Sequence, residues 1–390
     1  MKFLLAPDSF KESLTAAEAA QIMQEAVLRV DPESEAVLLP VADGGEGTLD
    51  VLTEATNGRV FHKEVTGPLG SPVTARYAIL GDGKTAVVEM AEASGLHRVP
   101  PPQRDPWRTT SFGTGELIKA ALAHPIEQLI VTIGGSATND GGAGMLQALG
   151  AVLSDGAGNP IPLGGGALGQ LASLDVSGLD ARLRRIRLQV ACDVTNPLIG
   201  PRGASHVFGP QKGASPDMAA ALDCHLTHFA DVIAQETGLR LHEVPGAGAA
   251  GGLGAALLLC GGTLYPGIDL VLNALSFEEK LVRADYVFTG EGKIDSQTPH
   301  GKVIAGIVRR AGKCGVPVIA FAGGVRSGYE YLYEQGLLSV HSTTPYPCTL
   351  EEAMHRAREN LLQTVENVVR LLRTTREPGC RPNERRSGGA

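Results

Sequence analysis

The sequence predicts an α/β protein: a discontinuous Rossmann-like parallel-sheet domain carrying a large inserted second α/β domain, with the active site in the interdomain cleft. Three observations carry that prediction. The chain has 390 residues and 43% hydrophobic content, more than one core usually organises, so two domains are expected. Its N- and C-terminal thirds share one strand–loop–helix pattern, whereas the middle opens on a hairpin signal. Glycine is abundant, 50 residues against an aromatic fraction of only 4%, which moves the information into the loops.

Taken in order, Lys2 to Ala6 is a short buried strand and Pro7 to Leu14 a loop. Thr15-Ala16-Ala17-Glu18 fits a capping box, starting a helix to about Val30. Glu35 to Pro40 is a second strand, Val41 to Gly47 a loop, and a helix follows to about Thr56, with Gly58 placed to stop it. Val73 to Leu80 and Thr85 to Met90 read as strands joined across Gly81-Asp82-Gly83-Lys84, a hairpin foreign to a purely parallel sheet. Strands are expected at Gln128 to Ile133 and Ile186 to Cys192, and helices at Phe112 to Ala123, Asp217 to Glu236 and Leu253 to Cys260. The parallel pattern returns with a strand Asp285 to Thr289, a loop Gly290 to Gly301, a helix Lys302 to Ala311, a strand Val316 to Ala322 and a loop Gly323 to Ser327. A final helix spans Thr349 to Arg373. Domain boundaries follow: 1–66 with 283–375, an insertion 67–282, and a disordered polar tail 376–390 that lacks apolar residues to pack.

A net charge of -8 argues against a nucleic-acid binder, since phosphate backbones demand a broad basic surface. The six cysteines lie far apart with no C-x-x-C pair, so neither a zinc site nor a dense disulfide framework is expected. No stretch reaches the length of a membrane span, and the N-terminal apolar run is too short for a signal peptide. The expectation is therefore a cytoplasmic enzyme with a small-molecule partner, no nucleic acid and no membrane; a homo-oligomer is compatible with this reading.

Parallel sheets bind ligands at the carboxyl ends of their strands. The loops expected there hold Asp8, Asp43, Glu46, Glu291 and Asp295 beside Ser9, Lys11, Ser13, Lys293 and Ser296. Carboxylates of this kind hold magnesium or take a proton, although Asp and Ser before a helix also serve as plain turns and caps. Gly134-Gly135-Ser136-Ala137-Thr138-Asn139-Asp140-Gly141-Gly142-Ala143-Gly144 joins a strand to a helix, where successive N–H groups favour a phosphate. Gly246-Ala247-Gly248-Ala249-Ala250-Gly251 formally matches the dinucleotide fingerprint, a weak signal with Pro245 where its strand should end. No Walker loop fits: Ala78 replaces the glycine ahead of Gly83-Lys84-Thr85, and Ile294 follows Lys293. Asp193 and Asn196 after the Ile186 strand offer oxygens to a phosphate-bound magnesium, and Lys212 sits in a glycine-flanked loop.

Several motifs, in order, resemble the bacterial glycerate kinases of type 1. They are Ala6-Pro7-Asp8-Ser9-Phe10-Lys11-Glu12-Ser13, Ala42-Asp43-Gly44-Gly45-Glu46-Gly47-Thr48, Ser111-Phe112-Gly113-Thr114-Gly115-Glu116 and Gly134-Gly135-Ser136-Ala137-Thr138. Ala191-Cys192-Asp193, Asn196-Pro197-Leu198, Phe208-Gly209-Pro210-Gln211-Lys212-Gly213-Ala214 and Thr289-Gly290-Glu291-Gly292-Lys293-Ile294-Asp295-Ser296-Gln297-Thr298 extend the likeness over residues 1–372. The resemblance implies transfer of the ATP γ-phosphoryl group to D-glycerate, at the 2-hydroxyl to give 2-phosphoglycerate, with Mg2+. A 3-kinase, or a dehydrogenase using Gly246 to Gly251, is the alternative. The arginine-containing tail after Glu377 departs from the resemblance.

Site roles are assigned on this basis. Asp43, Asp193 and Asp295 are the catalytic candidates, one of them the base. Asp8, Ser9, Lys11, Ser13, Gly44 and Gly45 are expected to bind glycerate. Gly134, Gly135, Ser136, Asn139, Lys212 and Lys293 are expected at the ATP phosphates, and Asp193 and Asp295 at the metal.

Overall fold

The computed structural model describes residues 1–296, 298 and 303–376. The chain enters through β1 (Lys2–Leu5), α1 (Ala16–Val30) and β2 (Glu35–Leu38). It continues through α2 (Thr48–Thr56), β3 (Arg59–Thr66), β4 (Pro72–Ile79), β5 (Thr85–Glu89), α3 (Ala91–Ser94), α4 (Phe112–Ala121), β6 (Gln128–Thr132) and α5 (Ala143–Ala148). There follow β7 (Val152–Ser154), β8 (Ser173–Asp175), β9 (Arg187–Ala191), α6 (Ala204–Phe208), α7 (Pro216–Thr237), α8 (Leu253–Leu259), β10 (Thr263–Tyr265) and α9 (Gly267–Ala274). The last part comprises α10 (Phe277–Leu281), β11 (Tyr286–Ile294), α11 (Val303–Lys313), β12 (Val318–Val325), β13 (Leu337–Ser342), α12 (Leu350–His355) and α13 (Ala357–Arg376). Two compact units result: Met1–Val41 with the described chain from Ser276 onward, and Ala42–Leu275.

The first unit is a five-stranded parallel sheet in the order β13-β12-β11-β1-β2. Counted by the unit's own strands this is 2-1-3-4-5, a doubly wound sheet whose order reverses between β1 and β11. Phe3, Leu5, Phe288 and Phe321 face Ile22 and Met23 of α1 and Leu361, Val365 and Val369 of α13 in one core. The expected capping box is present: Thr15 Oγ1 accepts from Glu18 N, and the Glu18 carboxylate accepts from Thr15 N at 2.8 Å.

The second unit carries the order β10-β9-β6-β5-β4-β3, with β5, β6, β9 and β10 parallel and β3 and β4 antiparallel. Val88, Leu129, Val131 and Val190 share its core with Leu226, Phe229 and Ile233 of α7. The β4–β5 hairpin turns where Gly81 to Lys84 predicted, fastened by Asp82, which accepts from the N–H groups of Lys84 and Thr85 and from the Thr85 hydroxyl.

Four expectations change. Residues 42–66 belong to the second unit, because β3 pairs along its length with β4 and α2 follows β3 into that unit. β3 itself escaped the sequence reading because Arg59, Val60, His62, Lys63 and Glu64 are exposed on an edge strand. Gly290 does not begin a loop. β11 runs on to Ile294 with Gly290 and Gly292 extended, and a Cβ on Gly290 would meet the Phe321 carbonyl oxygen at 2.5 Å. Here glycine admits a neighbouring strand rather than a turn. The C-terminal helix is two helices, α12 and α13, and the disorder expected of the tail beyond Arg376 falls outside the described residues.

Candidate active site

In the first unit, the motif loops follow β1 and β11, the two strands flanking the reversal in strand order. Asp8 N donates to the Gly290 carbonyl at 2.9 Å, and Gly292 packs so closely that a Cβ would lie 3.3 Å from Lys11 N. This brings Asp8, Ser9 and Lys11 alongside Glu291, Lys293 and Asp295. The Ser9 N–H donates to Asp8 Oδ1 at 2.6 Å, and Ser9 and Lys11 are exposed. The Ser13 hydroxyl donates to the Phe10 carbonyl at 2.8 Å and shapes the loop. Lys293 Nζ lies 2.6 Å from Asp295 Oδ2. Buried Glu291, unassigned from sequence, accepts from the Thr298 hydroxyl at 3.0 Å. Gln297 of this motif lies outside the described residues. A separate hollow of about 420 Å³ in this unit, lined by His341, Thr343, Asn360 and Thr364 among others, contains none of the motif residues.

In the second unit, the Ala42–Gly47 loop sits among the carboxyl ends of the parallel strands. Gly44 (φ +90) has no room for a side chain, with Gly267 Cα 2.7 Å and Ala191 Cβ 2.9 Å from where a Cβ would stand. Gly134, after β6, would meet Gly45 Cα at 3.2 Å. Asp43 Oδ1 accepts from Gly45 N at 2.9 Å, folding the loop around its own carboxylate. Asp193, after β9, accepts the Gly267 N–H at 2.8 Å. Its side chain opens to solvent yet lies low among the strand ends. Crowding by protein, then repulsion from Asp43 and Asp269, pushes its pKa up to about 6. Asp269, with no role expected there, joins this acidic cluster because the short β10–α9 turn brings it close.

The Gly134–Gly144 loop is organised differently from the expectation. Its helix end is occupied internally: buried Asp140 accepts from Ser111 N and Oγ, both at 2.8 Å, and from Gly142 N and Gly144 N. Met145 N donates to Ser111 Oγ. The amides at the start of α5 are therefore committed to the protein. Gly134, Gly135 and Ser136, ahead of this network, are the part that remains at the strand end. Lys212 is 1% exposed, and its Nζ donates to Ser136 Oγ at 2.7 Å and the Thr138 carbonyl at 2.6 Å. Burial pulls its pKa down to about 7, and the charge of Asp140 opposes that shift. Asn139 is fully buried, donating Nδ2 to Ser205 Oγ at 2.9 Å. Both residues were expected to contact phosphate. In the structure Lys212 supports the loop from beneath through a hydroxyl and a carbonyl of it, and Asn139 ties the loop to α6 through Ser205.

Two further motifs are packing devices. Gly246 to Gly252 is buried throughout; a Cβ on Gly248 would strike the Pro197 carbonyl oxygen, and one on Gly251 the Thr138 carbonyl oxygen, each at 2.0 Å. A dinucleotide has no access to that backbone, which removes the dehydrogenase alternative. In the Ser111–Glu116 motif, Gly113 lies against the Thr66 carbonyl, Gly115 against that of Met145, and Glu116 accepts Thr66 N at 2.6 Å. Among the described residues no three His, Cys, Asp or Glu side chains form a metal cage, and no helix is long and apolar enough to cross a membrane.

The glycerate kinase family model matches residues 3–373, nearly the whole described chain. This chain belongs to the glycerate kinase family. As a member it is a kinase with ATP as phosphoryl donor. A glycerate kinase of Bacillus subtilis (strain 168) is 53% identical over 370 residues, covering 95% of this chain and 97% of its own. A glycerate 2-kinase of Escherichia coli (strain K12) is 50% identical over 373 residues, covering 95% and 98%. A crystal structure of a Salmonella typhimurium LT2 protein, assigned as glycerate kinase 2, superposes with a TM-score of 0.88 at 52% identity, covering 96% of this chain and 99% of that one. The α/β architecture with parallel-dominated sheets is thus shared with a glycerate kinase relative.

Proposed function

We propose that this kinase transfers the γ-phosphoryl group of ATP to the 2-hydroxyl of D-glycerate, giving 2-phosphoglycerate and ADP. The observation that carries this reading is the full-length 50% identity to a glycerate 2-kinase, which also favours the 2- over the 3-position. In the first unit, Lys11 and Ser9 supply the cation and hydroxyl for glycerate's carboxylate, with Asp8 orienting its hydroxyls and Lys293 available to phosphate oxygens. In the second unit, Gly134, Gly135 and Ser136 cradle phosphate oxygens, Gly44 and Gly45 let the acceptor approach the backbone, and Asp43 takes the hydroxyl proton.

The acidic group of Asp193, Asp43 and Asp269 is too open to cage a cation alone, but its charge suits a magnesium ion already bound to ATP phosphates. Asp193 is the residue this unit offers to that ion; Asp295 is the carboxylate the first unit offers to a metal. Bound magnesium would neutralise charge on the transferring group. ATP as donor is consistent with work in the cytoplasm. The test is ATP consumption against a panel of small hydroxy acids, with the product identified by phosphorus NMR. A 2-phosphoglycerate resonance is expected; no turnover with D-glycerate overturns the reading.

A further inference from the structure

The Ala42–Gly47 loop leads into α2, whose N-cap is Gly47 at φ +87 with no side-chain cap of its own. The cap comes instead from another strand. Glu89, the last residue of β5, is 4% exposed; its Oε1 accepts from Gly47 N at 3.1 Å and its Oε2 from Leu49 N at 3.2 Å. One buried carboxylate thus fastens both ends of the loop-to-helix junction. Register holds it there, since Glu89 pairs opposite Thr132 of β6 and Met90 N donates to the Thr132 carbonyl.

We propose that Glu89 is a positioning residue for phosphoryl transfer, fixing through these two backbone N–H groups the loop that presents Asp43, Gly44 and Gly45. The inference rests on the acceptor role given to that loop above. Both carboxylate oxygens must accept, so the ionised form is the one that holds the loop. Protonation converts one oxygen to a donor facing an N–H and releases that half of the cap. Burial, opposed by the two N–H bonds and reinforced by Glu92 of α3 and Asp50 of α2, lifts the Glu89 carboxyl to about 7. Arg76 of β4 binds both of those acids, at 2.6 and 2.9 Å, and Arg98 also reaches Glu92, so the acids around Glu89 are largely neutralised. The loop's grip is therefore set to change near neutral pH, through a residue that touches no substrate.

The test compares Glu89→Ala, Glu89→Gln and Asp43→Asn in the full chain, each first checked for native circular dichroism. Glu89→Ala is expected to lower kcat/KM for D-glycerate by about tenfold or more, with KM for ATP changed less than about twofold. Glu89→Gln keeps one acceptor but sets an amide donor against the other N–H, so at every pH it is expected to match the half-released parent of low pH, above Glu89→Ala and below the parent at pH 8, and its pH–rate profile loses the step near 7. If Asp43→Asn impairs turnover but both Glu89 variants match the parent in kinetics and pH profile, the inference about Glu89 is overturned. If Asp43→Asn leaves kcat and the glycerate KM unchanged, the reading of the loop itself fails, and the role of Glu89 with it.

Discussion

Gly267 donates its backbone N–H to Asp193 Oδ1 across 2.8 Å while standing against the backbone of Asp43, whose carbonyl oxygen would be 1.8 Å from any Cβ at that position. One residue without a side chain sets the spacing of two carboxylates with proposed catalytic roles. Gly267→Ala should therefore push the Asp43 loop away, costing about 1–3 kcal/mol of stability and about 100-fold in kcat/KM. Denaturant titration and steady-state kinetics read the two effects separately; wild-type kinetics would show that the Asp43 position is not critical.

Asp193→Asn preserves the acceptor for Gly267 while removing the charge. We expect kcat to fall by at least about 100-fold and the magnesium concentration for half-maximal rate to rise. A magnesium titration of initial rates decides it, and unchanged curves would remove Asp193 from the mechanism.

Lys212→Met deletes a buried amine that donates to the Ser136 hydroxyl and the Thr138 carbonyl. Leaving those buried oxygens without their donor costs about 1–3 kcal/mol. The expected outcome is a large drop in the denaturation midpoint together with a raised KM for ATP, because the Gly134–Ser136 segment loses its support. A stable variant with normal ATP affinity would contradict the supporting role.

Glu89 links stability to pH in a defined direction. Its carboxyl sits near 7 in the folded protein against an ordinary value of 4.5. Between those values the native state holds a proton that the unfolded chain has released, so stability falls as pH rises through that window. Glu89→Gln should flatten this part of the stability–pH curve, as measured by urea midpoints from pH 4.5 to 8. Parallel curves for parent and variant would show that Glu89 ionises normally.

Much of the fold is legible in local sequence. The capping box at Thr15 and Glu18, the Gly81–Lys84 turn and the apolar β4 and β5 segments on either side of it each encode their structure within a few residues. What escaped depends on distant partners. Gly290 and Gly292 look like loop glycines until β12 and Phe10 occupy the space that side chains would need. The site divides in the same way. Asp8, Lys11, Asp43 and Asp193 announce themselves by following short apolar strands, Asp43 with Gly44 and Gly45 beside it. Glu89 reads as the polar end of a strand, and Asp140 as one more turn residue, because the N–H groups each accepts belong to segments only tertiary folding brings near. Lys212 shows the reverse case: a lysine between glycines looks mobile in sequence, and its burial is invisible there.

The register of β1 against β11, Phe3 opposite Tyr286, has a consequence for the birth of the protein. β2 is available early to one edge of β1, but the other edge must wait for β11, encoded far downstream. At about 5–20 residues per second this is a delay on the order of 10–50 s. During it the whole Ala42–Leu275 unit leaves the ribosome and can complete its own core. Meanwhile the β1–β2 pair travels with the edge of Phe3, Leu4 and Leu5 that β11 will cover still open, an apolar edge a chaperone would protect.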